Sequence, residues 1–178
     1  MEAKEFNSLL RLIDIGDEDS FEKIYNEYAK KIKSVAFSVL SDTHYAKDVL
    51  QNVMIRIWNK SKSFKNIKSP NAFIYTLAKN ASIDLYRKVK KRRKRFLSLD
   101  KMQEDMDYEI PFETDFSNVE FLSMISYLDD VTQEILIRKL IFRDTHNEIA
   151  EDLNLPEGTV KWKYQCGLKE IEKIEKST

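Results

Sequence analysis

The chain has 178 residues, 30 Lys and Arg against 30 Asp and Glu, and only 3 Gly and 3 Pro. So few chain-reversing residues exclude a turn-rich β sandwich and a Gly-rich phosphate loop, and the Lys, Glu, Leu and Ile content favours helices. A single cysteine, Cys166, excludes an internal disulfide and a multi-cysteine zinc site, and with no leader-like or long apolar run a cytoplasmic protein without membrane insertion is expected.

In chain order, Met1 to Gly16 is short and amphipathic and is expected to pack on the helices of the first block. Asp19 with Glu22 has the form of a capping box, and Phe21, Ile24, Tyr25, Tyr28, Ile32, Val35, Ala36 and Val39 then recur at helical spacing. A second helix carries Ala46, Val49, Leu50, Val53 and Ile57 and ends near Trp58 in a polar run. Ser69 is the expected N-cap of a third, with Pro70 in its first position, where a missing N–H costs nothing. Phe73, Leu77, Ala81 and Leu85 form its stripe. Its far end is strongly cationic: Lys79, Arg87, Lys88, Lys90, Lys91, Arg92, Arg93, Lys94 and Arg95 face one acid, Asp84.

From Arg95 to Asn118 the period is lost, Pro111 interrupts, and Asp100, Glu104, Asp105, Asp107, Glu109, Glu113 and Asp115 accumulate, which reads as a linker. Apolar spacing resumes with Phe121, Ile125 and Leu128, then Ile135, Leu136 and Leu140. Thr145 with Glu148 opens a short helix, Asn154-Leu155-Pro156 turns the chain, and a last helix runs from about Glu157 to Glu175. Two helices joined by so short a turn form a helix-turn-helix. The expected fold is all-α: two small helical domains, 1–95 and 119–178, joined by an extended acidic linker, 96–118. The cationic tract calls for a polyanionic partner, and nucleic acid is the natural one.

These residues resemble those of a family, the sigma-70-type RNA polymerase sigma factors, in their small two-domain extracytoplasmic-function (ECF) group. Phe21-x-x-Ile-Tyr-x-x-Tyr28 and Ala46-x-Asp48-x-x-Gln51-x-Val53 leading to Ile57-Trp58 look like the opening half of sigma region 2. Phe73-Ile-Tyr-x-Leu-Ala-Lys-Asn80-x-x-x-Asp84-x-x-Arg87 looks like its promoter-melting half. Glu148-Ile-Ala and Leu153-x-Leu-Pro156-x-Gly-Thr-Val-Lys161 are similar to the helix-turn-helix of region 4.

The resemblance implies a subunit without catalytic residues, metal or cofactor that binds core RNA polymerase, recognises promoters and opens the minus-10 strand. Asp48, Gln51, Asn52 and Ile55 are implied to dock on the β′ clamp helices, where a carboxylate beside an amide suits a basic partner. Lys65, Asn66, Phe73, Tyr75, Lys79, Asn80, Asp84, Arg87, Lys88, Lys91 and Arg92 are implied to hold single-stranded minus-10 DNA, which needs stacking surfaces, edge-reading groups and cations. A local ion pair of Asp84 with Arg87 or Lys88 is the plainer reading of those residues. Thr145, Glu157, Thr159, Lys161, Trp162, Lys163, Gln165 and Cys166 are implied to meet duplex minus-35 DNA or a recruiting factor. The family also implies a β-flap contact for region 4, an anti-sigma factor, and a linker that threads toward the RNA exit channel.

Two departures carry weight. Phe73 stands where the family often has Trp, and the last helix has Trp162 and Cys166 where members often carry Ser and Arg. No Arg remains there for bidentate guanine reading, though Lys161, Lys163 and Gln165 can still meet phosphates or bases, so the expectation is that region 4 relies on a second protein or a separately DNA-bound factor, for instance an RNA-guided one, with Trp162 as an apolar anchor; the plainer reading has Trp162 stacked on DNA sugars or tucked beside Tyr164. Val160, Tyr164, Gly167 and Ile171 are expected to face the core, leaving Trp162, Lys163 and Cys166 outward. A stand-alone helix-turn-helix regulator is the alternative, but it leaves Asp48, Gln51 and Asn80 without a task. A nuclease lacks acids at metal-ligand spacing. His44 and His146 read as surface residues.

Overall fold

The structure, a computed structural model, describes the backbone of residues 1–97 and 117–176 and the side chains of 1–91 and 120–176. Among the described residues there are eight α-helices and no strand. The first, α1 (Ala3–Asp14), buries Phe6, Leu9, Leu10 and Ile13, one stripe at helical spacing, and Gly16 at φ +90° reverses the chain. Next, α2 (Glu18–Leu40) is capped by Asp17, whose carboxylate accepts from the Ser20 N–H at 2.9 Å. The cap expected at Asp19 thus sits two residues earlier, because the helix already includes Glu18 and Asp19 as first-turn acids, where the helix dipole favours them. In α3 (Thr43–Lys60) Asp42 is the cap, and a 3-10 turn at Ser61–Ser63 follows. A loop then leads to α4 (Pro70–Leu97), in which Pro70 is the first residue and the Ser69 hydroxyl accepts from the Ala72 N–H.

The second half comprises α5 (Ser117–Ile125), α6 (Asp130–Ile137), α7 (His146–Leu153) and α8 (Glu157–Glu175). Because α4 reaches Leu97 and α5 starts at Ser117, the linker expected at 96–118 is shorter at both ends; its acids at 100–115 lie outside the described residues. Asp129 caps α6 by accepting from the N–H groups of Val131 and Thr132. A π-helical turn, Arg138–Phe142, prolongs α6 and closes on Arg143 in the left-handed region. Thr145 and Glu148 form the expected capping box of α7, and Asn154 at φ 53° makes the turn into α8.

In the first half, α2 is the central helix, with α1, α3 and α4 packed around it through Ile24, Tyr28, Ile32, Val35 and Ala36. Each fully buried Ile or Val contributes about 1.5–3 kcal/mol. The apolar cluster does not stop at the end of this bundle. Leu122, Ile125, Leu128, Leu136, Ile137, Phe142 and Ile171 of the second half belong to the same buried cluster as Phe6 and Ile74. A smaller cluster, Ile135, Ile149, Ala150 and Val160, holds α7 and α8 at their mutual angle. No described helix is long and apolar enough to cross a membrane.

Candidate functional site

Three surfaces gather the residues singled out by the sequence. The first is the outer face of α2 and α3. Asp48, Gln51 and Asn52 are exposed, and Ile55 is 57% exposed beside Tyr25 at 42%. Gln51, Ile55 and Tyr25 line an open groove of about 880 Å³ floored by Phe21, Leu50, Met54 and Trp58, the rings of Phe21 and Trp58 meeting edge to face at 5.2 Å; Asp48 and Asn52 are on the same helix but outside its lining. Isolated exposed apolar residues are ordinary, but a contiguous apolar groove rimmed by Glu18, Lys33, Lys47 and Gln51 is the form of a docking surface. Asp48 and Gln51 alone were legible from spacing. The apolar members Tyr25 and Met54 were hidden among residues of the core stripe.

The second surface is the loop before α4 and the outer edge of that helix. Lys65 and Asn66 are exposed, and Asn66 adopts φ 55°. Phe73 is half-buried, stacked edge-on against Phe64 at 4.9 Å and Phe6 at 6.0 Å, so it shapes the loop from beneath and offers little face to a ligand. Tyr75 is a correction. It is 3% exposed, packed against Phe142 at 6.2 Å, and burial together with the nearby Glu134 carboxylate pushes its hydroxyl pKa well up. In this arrangement it is a core residue and touches no solvent-borne ligand. Lys79 lies partly under the second half, over the Tyr75 ring and 3.9 Å from Asp130.

Further along α4, Asn80, Asp84, Arg87, Lys88 and Lys91 are all exposed, and the side chain of Arg92 lies outside the described ones. Asp84 and Arg87 form the local ion pair that their spacing allows, at 3.7 Å, with both side chains more than two-thirds exposed. Such a pair is worth little in water, which leaves Arg87 free to change partner. Tyr86 went unnoticed in the sequence. It is 50% exposed with Lys90 over its ring at 5.8 Å, so the cationic edge carries an aromatic face as well. An aromatic placed between bases in a charge run was the available signal.

Where α4 begins, the second half is seated on it. The Ser69 hydroxyl donates to Asp152 at 2.8 Å, and the Asn71 amide donates to Asp144 and to the Phe142 carbonyl. Behind these acids Arg138 is wholly buried; its Nε donates to Asp144 at 2.7 Å and its Nη2 to Asp152 at 2.7 Å. Sequence reading missed Arg138. An Arg-Lys pair interrupting the apolar stretch from Ile135 to Ile141 was its only trace.

The third surface is the helix-turn-helix. Trp162 is 62% exposed and Gln165 is exposed, while Thr159 and Cys166 are half-buried. Val160, Gly167 and Ile171 face the core as expected, with Tyr164 half-buried against His146 at 5.2 Å. Lys163 is a correction: it turns inward, its ammonium 3.3 Å from Asp129 and 3.4 Å from the Thr132 hydroxyl, because α6 passes beneath that side of α8. Lys161 pairs along the helix with Glu157 at 2.9 Å, and the Thr145 hydroxyl is engaged in its capping box. His146 is also a correction. It is half-buried with its Nε2 unpartnered among the described residues, and desolvation lowers its pKa, so it is a neutral packing residue. Among the described residues no three His, Cys, Asp or Glu side chains gather as a metal site.

The family model "Sigma-70 region 2" matches residues 24–93, the stretch that holds the cationic edge and most of the groove. The ECF RNA polymerase sigma factor RpoE of Cereibacter sphaeroides is 29% identical over 164 residues, 90% of each chain. The ECF sigma factor SigW of Bacillus subtilis is 27% identical over 177 residues, covering 92% of this chain and 93% of its own. Over residues 24–93 the chain matches the sigma-70 family, and the relatives named here are ECF sigma factors.

Solved structures share the fold. CnrH, in complex with the cytosolic domain of CnrY, superposes with a TM-score of 0.65 at 18% identity over 97% of this chain and 98% of that one. RpoE of Bartonella quintana, in complex with the anti-sigma factor NepR, superposes with a TM-score of 0.59 at 18% identity, covering 88% and 96%. In this chain α2 to α4 carry the region 2 match, and the region 4-like helix-turn-helix is α7 and α8.

Proposed function

We propose that this chain is an ECF sigma factor that binds core RNA polymerase through the groove of α2 and α3 and, as a subunit with no chemistry of its own, directs promoter recognition and minus-10 strand opening in the cytoplasm. The observation that carries this reading is the juxtaposition on one helical block of two surfaces. One is an apolar groove with Gln51 and Ile55 in its wall and Asp48 exposed on the same helix, suited to an Arg-rich helical partner. The other is an exposed cationic edge with Asn80, Tyr86, Arg87, Lys88 and Lys91, suited to single-stranded DNA. A stand-alone DNA-binding regulator has no use for the groove.

In this reading Lys65 and Asn66 meet an extruded base, and Arg87, Lys88 and Lys91 meet phosphates. Lys79, Phe73 and Tyr75 support that surface from behind. Residues 1–95 form the minus-10 module and 119–178 the minus-35 module, with Gln165, Lys161 and Trp162 facing duplex DNA or a recruiting factor. An anti-sigma factor covers the α3 groove or region 4, as the complexes of CnrH and of Bartonella RpoE suggest by their composition.

The test is co-purification with core polymerase from the native host. Wild type retains core, Asp48→Ala/Gln51→Ala and Ile55→Ala lose it, and Trp162→Ala keeps it. Retention of core by every variant would sink the groove assignment.

A further inference from the structure

The helix α1 is joined to the loop before α4 by a single side chain. Asn7 lies in the second turn of α1, half-buried, and its amide closes on both backbone polar groups of one loop residue, Ile67. Its Oδ1 accepts from the Ile67 N–H at 2.9 Å, and its Nδ2 donates to the Ile67 carbonyl at 2.8 Å. Nδ2 also donates to the Ala3 carbonyl in its own helix at 2.7 Å, so three hydrogen bonds lock the amide in one orientation. Asn7 and Ile67 are 60 apart in sequence. The contact imitates a rung of β ladder, with a side chain in place of a strand.

This matters because the loop has few other restraints. Residues 64–69 form no regular element, and Asn66 turns the chain at φ 55°, in the left-handed region that Asn tolerates better than most residues. Asn7 grips the next residue, Ile67. On the opposite side, Phe64 rests on Phe73 and Phe73 on Phe6, one residue before Asn7. The loop is therefore held between an aromatic stack and an amide clamp that rise from adjacent positions of α1. Beside the clamp lies a recess of about 260 Å³ whose wall is shared by the two segments: Asn7, Arg11 and Asp14 from α1, and Phe64, Lys65 and Asn66 from the loop.

We infer that Asn7 is a positioning residue for minus-10 base selection: it fixes the backbone of the loop at Ile67 and so sets where Lys65 and Asn66 stand when a base enters. The inference rests on the proposed role of the loop as a reader of single-stranded minus-10 DNA. It gives α1 a function beyond packing. A loop released at Ile67 still presents the same side chains, but in several backbone states, so right and wrong bases are met less unequally.

The test uses the holoenzyme formed from full-length protein and host core polymerase. The preferred oligomer is selected from short single-stranded DNAs of random sequence, and affinity is then measured for it and for each single-base change. Asn7→Ala removes both bonds to Ile67. Asn7→Asp keeps the acceptor but sets a carboxylate against the Ile67 carbonyl. Leu9→Ala, at a buried site of the same helix, loosens α1 without touching the clamp.

The expected result is a loss of base discrimination of about tenfold at one or two adjacent positions for both Asn7 variants, the scale of two hydrogen bonds, with core affinity unchanged. Leu9→Ala lowers thermal stability at least as much and keeps discrimination. Lys65→Ala and Asn66→Ala report on the underlying reading. If they change discrimination and Asn7→Ala does not, the positioning role is overturned while the loop reading stands. Equal loss in Leu9→Ala and Asn7→Ala also overturns it, since the effect is then general loosening. If neither loop variant changes discrimination, the reading and the inference fall together.

Discussion

Ser69, the residue that caps α4, gives its hydroxyl proton to Asp152 of α7, 83 residues further along the chain. The helix-turn-helix is thereby fastened to the start of the helix proposed to bind minus-10 DNA, and its acids, Asp152 and Asp144, occupy ground that suits an anion at a helix N-terminus. Ser69→Asp keeps a capping oxygen but opposes two carboxylates. The free protein is expected to expand, read as a larger radius of gyration in solution scattering, and to bind single-stranded DNA roughly tenfold more tightly, the scale of one charge-assisted hydrogen bond. An unchanged radius would mean that the apolar contact alone holds the halves together.

Arg138 is expected to be among the costliest residues to replace. It is fully buried between Asp144, itself 4% exposed, and Asp152. Arg138→Met leaves a buried carboxylate without its counter-charge, a loss of about 3–5 kcal/mol, measurable by urea denaturation. Adding Asp144→Asn to that variant removes the orphaned charge and should recover part of the loss.

Two glycines of α8 are expected to answer alanine with opposite signs. A Cβ on Gly167 meets Thr132 Cγ2 at 2.7 Å and Leu136 Cδ1 at 2.9 Å, whereas one on Gly158 meets nothing within 4 Å. Gly167→Ala pushes α8 off α6 and costs about 1–3 kcal/mol. Gly158→Ala removes backbone freedom from the unfolded chain and stabilises by up to about 1 kcal/mol. Chemical denaturation of the two variants side by side distinguishes close packing from helix propensity.

Acid affects the second half in two directions. Hydrogen bonds from the Thr145 N–H and hydroxyl hold Glu148 below the usual range of a glutamate, and the Thr132 hydroxyl does the same for Asp129. Their contribution is complete at neutral pH and lost as pH falls through their lowered folded values. Glu134 runs the other way: burial, only partly offset by Lys79 and Arg138, raises its pKa, so its charged form weakens the fold at neutral pH. Glu134→Gln should raise Tm at pH 7, and the advantage should vanish as pH falls below the ordinary value of 4.5. A lower Tm at pH 7 would show that its attraction to Lys79 outweighs desolvation.

Much of this was legible in the sequence, for reasons specific to each element. Ser69-Pro70 and the Thr145/Glu148 box mark helix starts through local hydrogen bonding, and local rules were enough to read them. Asp48 and Gln51 share a face of α3 because three residues nearly complete a turn. The periodicity of α8 placed Val160, Gly167 and Ile171 inward. What escaped was decided by partners distant in sequence. Tyr75 follows an aromatic pattern that suits stacking on a base, yet Phe142 covers it. Lys163 was read as outward, yet it stands three residues after Val160 and four before Gly167, at the edge of the inward face, where Asp129 holds it. Asn7 is one polar residue in an amphipathic helix, and nothing near it announces Ile67. Asp19 misled because several acids at a helix start compete for one cap, and the backbone chose Asp17.

The wide turn at Arg138–Phe142 stores a reading frame of its own. A π turn holds one residue more than the α-helical turn it replaces, so this stretch works as an inserted spacer between α6 and the acids that Arg138 grips. A one-codon deletion there leaves every stripe of α6 intact and keeps a continuous helix. It narrows the wide turn to an ordinary α turn and keeps the frame of α6, but it shortens by one residue the path from Arg138 to Asp144, whose N–H donates to the Arg138 carbonyl at 3.1 Å. The loop that presents Asp144 to Arg138 and Asn71 is thus fixed by its length: point substitutions grade the strength of the contact, and only a change of length alters its span.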